Sequence, residues 1–359
     1  MGFLVSPGVE VKEIDLTDII PAQSTSIGGY AGHFRWGPIG EIVTVSSEKE
    51  LARIFGAPST EDATLERSFL EAASFLKYSN NLKVVRANAA TALNAYSSHG
   101  DDSPLPADYF NSPLDSPEGE GGFTISTVTE LETNQSRLNA MGAHVVARYA
   151  GKLGNSLRVH VINADNYANQ STSVKGALQF KPGTSGWAED LTGSTSVNDE
   201  VSIVIVDNGA QFSGVVGEIL EVHEGLSIAR NAKNQFGESN YWADFVNTNS
   251  SLIFGVKDTD DVTGDPELEA DDTTDLGAIP WLGDDSPYET YVNLAGGDDA
   301  TDFTNGTVVT ALELFEDSET VDVNLLFAFE DSSGTTDTKI KTIADTRRDL
   351  VGFISAPLA

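Results

Sequence analysis

The chain of 359 residues contains no cysteine and only two methionines. Without cysteine it can form no disulfide and offers no thiolate as nucleophile or metal ligand. Basic residues are scarce: 21 Lys and Arg stand against 55 Asp and Glu, a formal net charge of −34. A surface of that sign repels phosphate backbones, so direct nucleic-acid binding is not expected. No run approaches the ~18 apolar residues of a membrane-spanning helix. The start, Met1-Gly-Phe-Leu-Val-Ser-Pro-Gly8, lacks the basic segment and apolar run of a signal peptide. The expectation is a soluble chain made in the cytoplasm, with no membrane insertion. Its 40% hydrophobic content still places it among globular proteins, and its length allows two or three cores.

Residues that carry chemistry are equally sparse. The five histidines, His33, His99, His144, His160 and His223, show no metal-binding spacing, and His160 is expected to share an exposed strand face with Arg158. Ala150-Gly-Lys-Leu-Gly154 comes nearest to a phosphate loop, but Leu153 stands where the hydroxyl belongs, so a turn is expected. Gly296-Gly-Asp-Asp299 lies between a strand and a helix, where doubly wound sheets bind nucleotides. Two adjacent glycines do not make the three-glycine fingerprint, and the acidic neighbours would repel a pyrophosphate. The acidic run from Asp258 to Glu269 fails the calcium-loop pattern, with Val262 and Thr263 at the fifth and sixth places. No catalytic residue, cofactor or metal is expected. An α/β unit over 290–355 leaves a nucleotide- or sugar-binding enzyme as the second reading.

Periodicity predicts an α+β chain. Residues 1–20 read as an extended arm, with Val9, Val11 and Ile14 set among Glu10, Lys12 and Glu13, and with Pro7-Gly8 and Pro21 barring a helix. Such an arm either pairs within its own domain or adds a strand to a neighbour's sheet. A β segment over 25–45, with turns at Gly28-Gly29 and Trp36-Gly37-Pro38, precedes a helix capped by Ser47 and Glu50, closing at Gly56 in a left-handed conformation. A second helix follows Ser59-Thr60, with Glu61 and Asp62 in its first turn, and a strand covers 82–87. Residues 89–142, rich in Ser, Pro, Asp and Gly, are expected as an insertion held away from the core, with a β-like stretch over 123–128. Strands are expected at 157–162, 201–206 and 217–222, the last two joined around Asn208-Gly209, and at 251–256. Residues 257–275 form an acidic loop. Strands near 290–294, 321–329 and 350–355 alternate with helices over 305–316 and 335–347, which implies a partly parallel sheet.

Several segments, in this order, resemble the contractile tail sheath proteins of phages. They are Val5-Ser-Pro-Gly-Val-Glu-Val-Lys-Glu13, Gly32-His-Phe-Arg-Trp-Gly-Pro38, Phe55-Gly56 with a Phe-rich helix and then Asn81-Leu-Lys-Val-Val-Arg-Ala87, and Ala147-Arg-Tyr-Ala-Gly-Lys-Leu-Gly-Asn-Ser-Leu157. Val292-Asn-Leu-Ala-Gly-Gly297, Asp345-Thr-Arg-Arg-Asp349 and Ser355-Ala-Pro357 complete the set. The match is most similar to the long, myophage type. It implies a multidomain tail-sheath fold: an arm (1–20), an inner α/β domain with a mixed sheet flanked by helices (21–88 with 281–359), and β-rich outer parts. The outer parts would be an outward insertion (89–142) and a middle α+β domain (143–280). The resemblance marks Pro7, Gly8, Gly32, Trp36, Gly37, Pro38, Gly151, Gly154, Gly296, Gly297 and Arg348 as structural positions. It implies that Val9, Val11, Glu13 and Ile14 add a strand to a neighbouring subunit.

The same resemblance implies a structural subunit of the virion tail. Copies would assemble in the host cytoplasm as six-fold rings around a tail tube, between baseplate and terminator proteins. Contraction would drive the tube through the host envelope. The family continues past Ala359, so this chain is expected to lack a C-terminal part and to assemble poorly alone.

Overall fold

Three separate sheets organise the described residues. The computed structural model describes residues 26–58, 62–87, 92–98, 124–140, 143–257, 267–270, 291–299, 304–330 and 334–354. The arm 1–20, with Pro7, Gly8, Val9, Val11, Glu13 and Ile14, lies outside them, as do His99 and most of the acidic run.

In chain order, β1 (Gly28–His33) and β2 (Ile42–Val45) precede α1 (Glu48–Phe55), α2 (Ala63–Leu76) and β3 (Leu82–Ala87). Next come β4 (Tyr96–Ser98), α3 (Val128–Ala140), β5 (Ala143–Ala147) and β6 (Leu157–Ile162). Two short helices, α4 (Thr172–Ala177) and α5 (Gly186–Thr192), lead to the hairpin β7 (Glu200–Asp207) and β8 (Glu218–Ser227). Then follow α6 (Trp242–Asn249), β9 (Ile253–Gly255), β10 (Tyr291–Asn293), α7 (Asn305–Glu313), β11 (Leu325–Ala328), α8 (Thr335–Arg347) and β12 (Val351–Gly352).

The first sheet has the order β12-β11-β1-β3-β2, with β2 antiparallel to β3 and the other pairs parallel. Alternation along its strands sends neighbours to opposite faces. Tyr30 and Val84 pack with Leu51, Phe55 and Phe69 of α1 and α2, whereas Ala31 and Val85 pack with Val308 and Leu312 of α7 and Ile340 of α8. Helices therefore cover both faces of a mixed sheet, as expected. The second sheet, β10-β6-β7-β8, is antiparallel throughout. Val159, Val161, Ile203 and Ile205 meet Tyr241, Trp242 and Val246 around α6. In the third sheet, β4-β5-β9, Tyr96, Val146 and Phe254 are packed by Ile125, Leu131 and Leu138 beside and along α3.

Several local expectations need correction. The β-like stretch at 123–128 ends instead in α3, because Thr127 Oγ1 accepts from Glu130 N–H while the Glu130 carboxylate accepts from Ser126 and Thr127 N–H. That capping box outranks β propensity. The second helix starts at Ala63, and Asp62 is its N-cap, accepting from Thr64 and Leu65 N–H. Gly56 has φ +82 but ψ 148, so it needs glycine without adopting the left-handed helical cap. The β7–β8 connection runs over 208–217 rather than through a tight Asn-Gly turn. The buried Asp207 carboxylate organises it by accepting from Gln211, Phe212 and Ser213 N–H.

The largest correction concerns 290–355. β10 pairs antiparallel with β6 in the second sheet, while β11 and β12 run parallel beside β1 in the first. The three strands do not form one nucleotide-binding unit. His160, expected on an exposed face, is 7% exposed, its Nδ1 3.0 Å from Gln170 Oε1 and its ring against Tyr291.

Candidate functional site

β3 carries Arg86 into the interior, where it is 2% exposed. A buried guanidinium loses several kcal/mol of hydration unless its N–H groups find acceptors. Three directions are satisfied here by backbone carbonyls. Nε donates to Phe34 O at 3.0 Å, Nη1 to Gly37 O at 2.9 Å and Nη2 to Ala150 O at 2.7 Å. Asp299 supplies the nearby opposite charge. Burial lowers the Arg86 pKa to about 10, with Asp299 and Tyr149 opposing the shift. Burial raises that of Asp299, against the Lys152 N–H and the charges of Arg86, Lys152 and Arg35.

The turns that supply these carbonyls are the glycine motifs. After β1, Trp36 is 2% exposed and sets its ring edge-on to Tyr149 at 5.4 Å and Phe212 at 5.2 Å. Gly37 follows at φ +99, and a Cβ there would meet Ile54 O at 2.8 Å; Pro38, partly buried, completes the turn. Gly151 is at φ +139, where a Cβ would stand 2.7 Å from Arg35 O and 2.8 Å from Asp299 Oδ1. Gly154 fits between the methyl groups of Ala147 and Ala95, at 2.8 and 2.9 Å from a built Cβ. Gly296 turns the third segment at φ +81, and a Cβ on Gly297 would lie 2.5 Å from Gly151 O. Asn155 locks that turn, donating to Gly297 O at 2.9 Å and accepting from Gly297 N–H at 2.8 Å. Leu93 and Asp298 exchange two backbone bonds, and Leu93 O also accepts from Gly151 N–H.

Trp36, Gly37, Gly151, Gly154 and Gly297 thus meet at one junction, close to one another although dispersed in sequence. Gly32 does not join them. It sits within β1, where the Tyr30 ring occupies the space of a Cβ. Arg348 lies elsewhere too, closing α8 at φ +61. Its neighbour Arg347 is the embedded one, donating to Phe315 O, Val321 O and Asp349. Reading the sequence did not single out Arg86 or Arg347. The signal for Arg86 was a cation inside the apolar run Leu82–Ala87.

At this junction the polar and glycine residues serve packing. The Gly296-Gly297 turn closes onto Gly151 and Asn155, so protein atoms fill the space a phosphate would need. A groove of about 460 Å³ runs beside the junction, lined by Trp36, Arg53, Tyr149, Phe212, Glu221 and Leu252. Burial acts to raise the Glu221 pKa, but hydrogen bonds from His223, Ser250 and Ser251 outweigh it and lower the value to about 2. A carboxylate held so acidic is a poor proton acceptor near neutrality. Among the described residues no group of three His, Asp or Glu could hold a metal ion, and no helix is long and apolar enough to cross a membrane.

No protein-family model matches the chain. Its sequence is 45% identical over 93 residues to the tail sheath protein of Vibrio phage KVP40, covering 26% of this chain and 13% of that protein. Against the tail sheath protein of Enterobacteria phage T4 it is 24% identical over an alignment of 431 positions, covering 99% of this chain and 62% of the relative. The chain is similar to phage tail sheath proteins. It spans less than two thirds of the length of either tail sheath relative. Solved sheath tail proteins from Listeria innocua and Desulfitobacterium hafniense superpose with TM-scores of 0.45 and 0.41, each at 13% identity. They cover 91% and 98% of this chain, which spans 47% and 51% of theirs.

Proposed function

We propose that this chain is a structural subunit of a contractile tail sheath. Copies assemble in six-fold rings around a tail tube, between baseplate and tail terminator proteins. The sheath shortens on triggering and drives the tube through the host cell envelope. The observation that carries this reading is the similarity to the T4 tail sheath protein through 99% of the chain.

The geometry supports a mechanical rather than a chemical role. Embedded charged groups such as Arg86, Asp207, Glu330 and Arg347 hold turns and helix ends in place. β12 forms an edge of the first sheet; Val351 in it and Phe353 and Ile354 just after it are 59%, 54% and 61% exposed. An apolar sheet edge suits strand addition, with backbone hydrogen bonds giving affinity. Val9, Val11, Glu13 and Ile14 of a neighbouring copy are the proposed added strand. Work is stored in the difference between two packings of such subunits. The net charge of −34 makes their approach dependent on counterions and gives no attraction to nucleic acid. The chain belongs, on this reading, to the virion tail and is assembled in the host cytoplasm.

Quantitative mass spectrometry of purified tails tests the proposal. The chain should be among the most abundant tail proteins, at a copy number that is a multiple of six. Its absence from tails, or presence at a few copies, would contradict the proposal.

A further inference from the structure

The two ends of the Arg86 clamp belong to different bodies. Phe34 and Gly37 continue from β1 of the first sheet, whereas Ala150 follows β5 and leads into β6 of the second. Other cross-contacts come from the same turn: Trp36 on Tyr149 and Phe212, and Arg35 Nη2 donating to Gln211 Oε1 at 2.9 Å. Gly151 brings Arg35 O and Asp299 so close that no side chain fits between them.

We infer that Arg86, with Asp299 beside it, is a mechanical latch that makes one rigid body of the helix-flanked sheet and the outer β layers. Without it the Trp36 packing and the Arg35–Gln211 hydrogen bond remain between the bodies, and these leave them free to hinge. Arginine is required by geometry. Its planar fork sends N–H groups in three fixed directions, whereas a lysine ammonium is a single point that cannot reach carbonyls on both bodies. A glycine-tight turn on each side leaves no slack for another residue to take over. Arg86 is a positioning residue, and the inference concerns the isolated chain, so it stands or falls separately from the sheath reading.

The absence of cysteine makes the test direct. Tyr78→Cys, at a position 92% exposed after α2, and Val216→Cys, at a position 71% exposed at the β7–β8 tip, place one dye on each body. The wild-type background should give one narrow distance distribution, and Arg86→Lys a broad or double one. Hydrogen exchange gives the second reading. In Arg86→Lys the amides of Leu93, Gly151 and Asp298 should exchange about tenfold faster or more, while β1, β3 and β7 stay within about twofold. Unchanged distances and junction exchange would overturn the latch. So would an equal acceleration in both cores, which would make Arg86 a general stability residue. Should the variant not fold, the wild-type protein still decides. Junction amides as protected as both cores support the latch, and junction amides that open far more readily overturn it.

Discussion

Arg86 and Ala150 are separated by 64 positions, yet the guanidinium Nη2 of one lies 2.7 Å from the carbonyl oxygen of the other. That bond joins a strand of the first sheet to the turn that feeds the second. Its geometry explains why glycine is needed on the far side, and it leads to the first prediction.

Gly151→Ala should destabilise the chain by at least ~2 kcal/mol, since positive φ strain adds to a steric clash. The built Cβ meets Arg35 O at 2.7 Å and φ is +139. Gly40 offers the control: φ is +68, but nothing lies within 4 Å of its Cβ. Gly40→Ala should cost only ~1 kcal/mol, from backbone strain alone. Urea unfolding of the two variants measures the difference; equal effects would remove the close approach from the account.

Glu330 is 3% exposed and lies just before α8 in sequence. Its carboxylate accepts from Asn305 Nδ2 and from the N–H groups of Gly334, Thr336 and Asp337. One carboxylate therefore caps α8 and ties it to the start of α7. Glu330→Ala should cost about 2–3 kcal/mol, because buried donors lose a charged acceptor. Exchange protection should fall first in the opening turn of α8. Loss confined to distant strands would contradict this role.

Arg347 and Arg348 should respond in opposite directions. Arg347 is 1% exposed at its side chain and donates to Phe315 O and Val321 O, both at 2.8 Å. Arg347→Met should cost about 2–3 kcal/mol in thermal or urea unfolding. Arg348 is held at φ +61, a conformation that glycine adopts without strain. Arg348→Gly should be neutral or stabilising by up to ~1 kcal/mol.

Stability should fall with pH below neutrality. His33 is fully buried, and burial lowers its pKa from the ordinary 6.5 to about 4, with the Ala87 carbonyl opposing the shift. The unfolded chain therefore takes up the proton first. Stability is complete above pH 6.5 and is lost as pH falls toward 4, by about 3 kcal/mol over that window. His160 is lowered in the same direction by burial. The raised pKa values of Glu200 and Asp299 act oppositely, but in the carboxylate range. Urea unfolding between pH 7 and 5 isolates the histidines. His33→Leu should flatten the slope there, and an unchanged slope would count against this assignment.

Much of the fold was legible from local pattern. Strands β3, β6 and β7 follow apolar runs bounded by turns, whereas Gly28-Gly29, expected as a turn, opens β1; Ser47 with Glu50 marked α1, although Glu50 reaches back to Ser46 N–H rather than to Ser47. The start of α3 was hidden because its buried apolar residues, Leu131 and Leu138, are too few to set a helical period. Which sheet β10 joins depends on pairing with β6, well over a hundred positions away, and no local pattern carries that. The glycine turns were visible as motifs. Their purpose was not, because the atoms that crowd Gly151 and Gly297 come from Arg35, Asp299 and Asn155, which only the folded chain assembles.

The sheath reading is tested most directly by immuno-electron microscopy of virions that carry this chain. An antibody against the exposed β7–β8 tip should label extended tails along their whole length. After contraction the label should follow the shortened, widened sheath and leave the bare tube unlabelled. Label confined to the baseplate, neck, fibres or tube, in either state, would contradict the account.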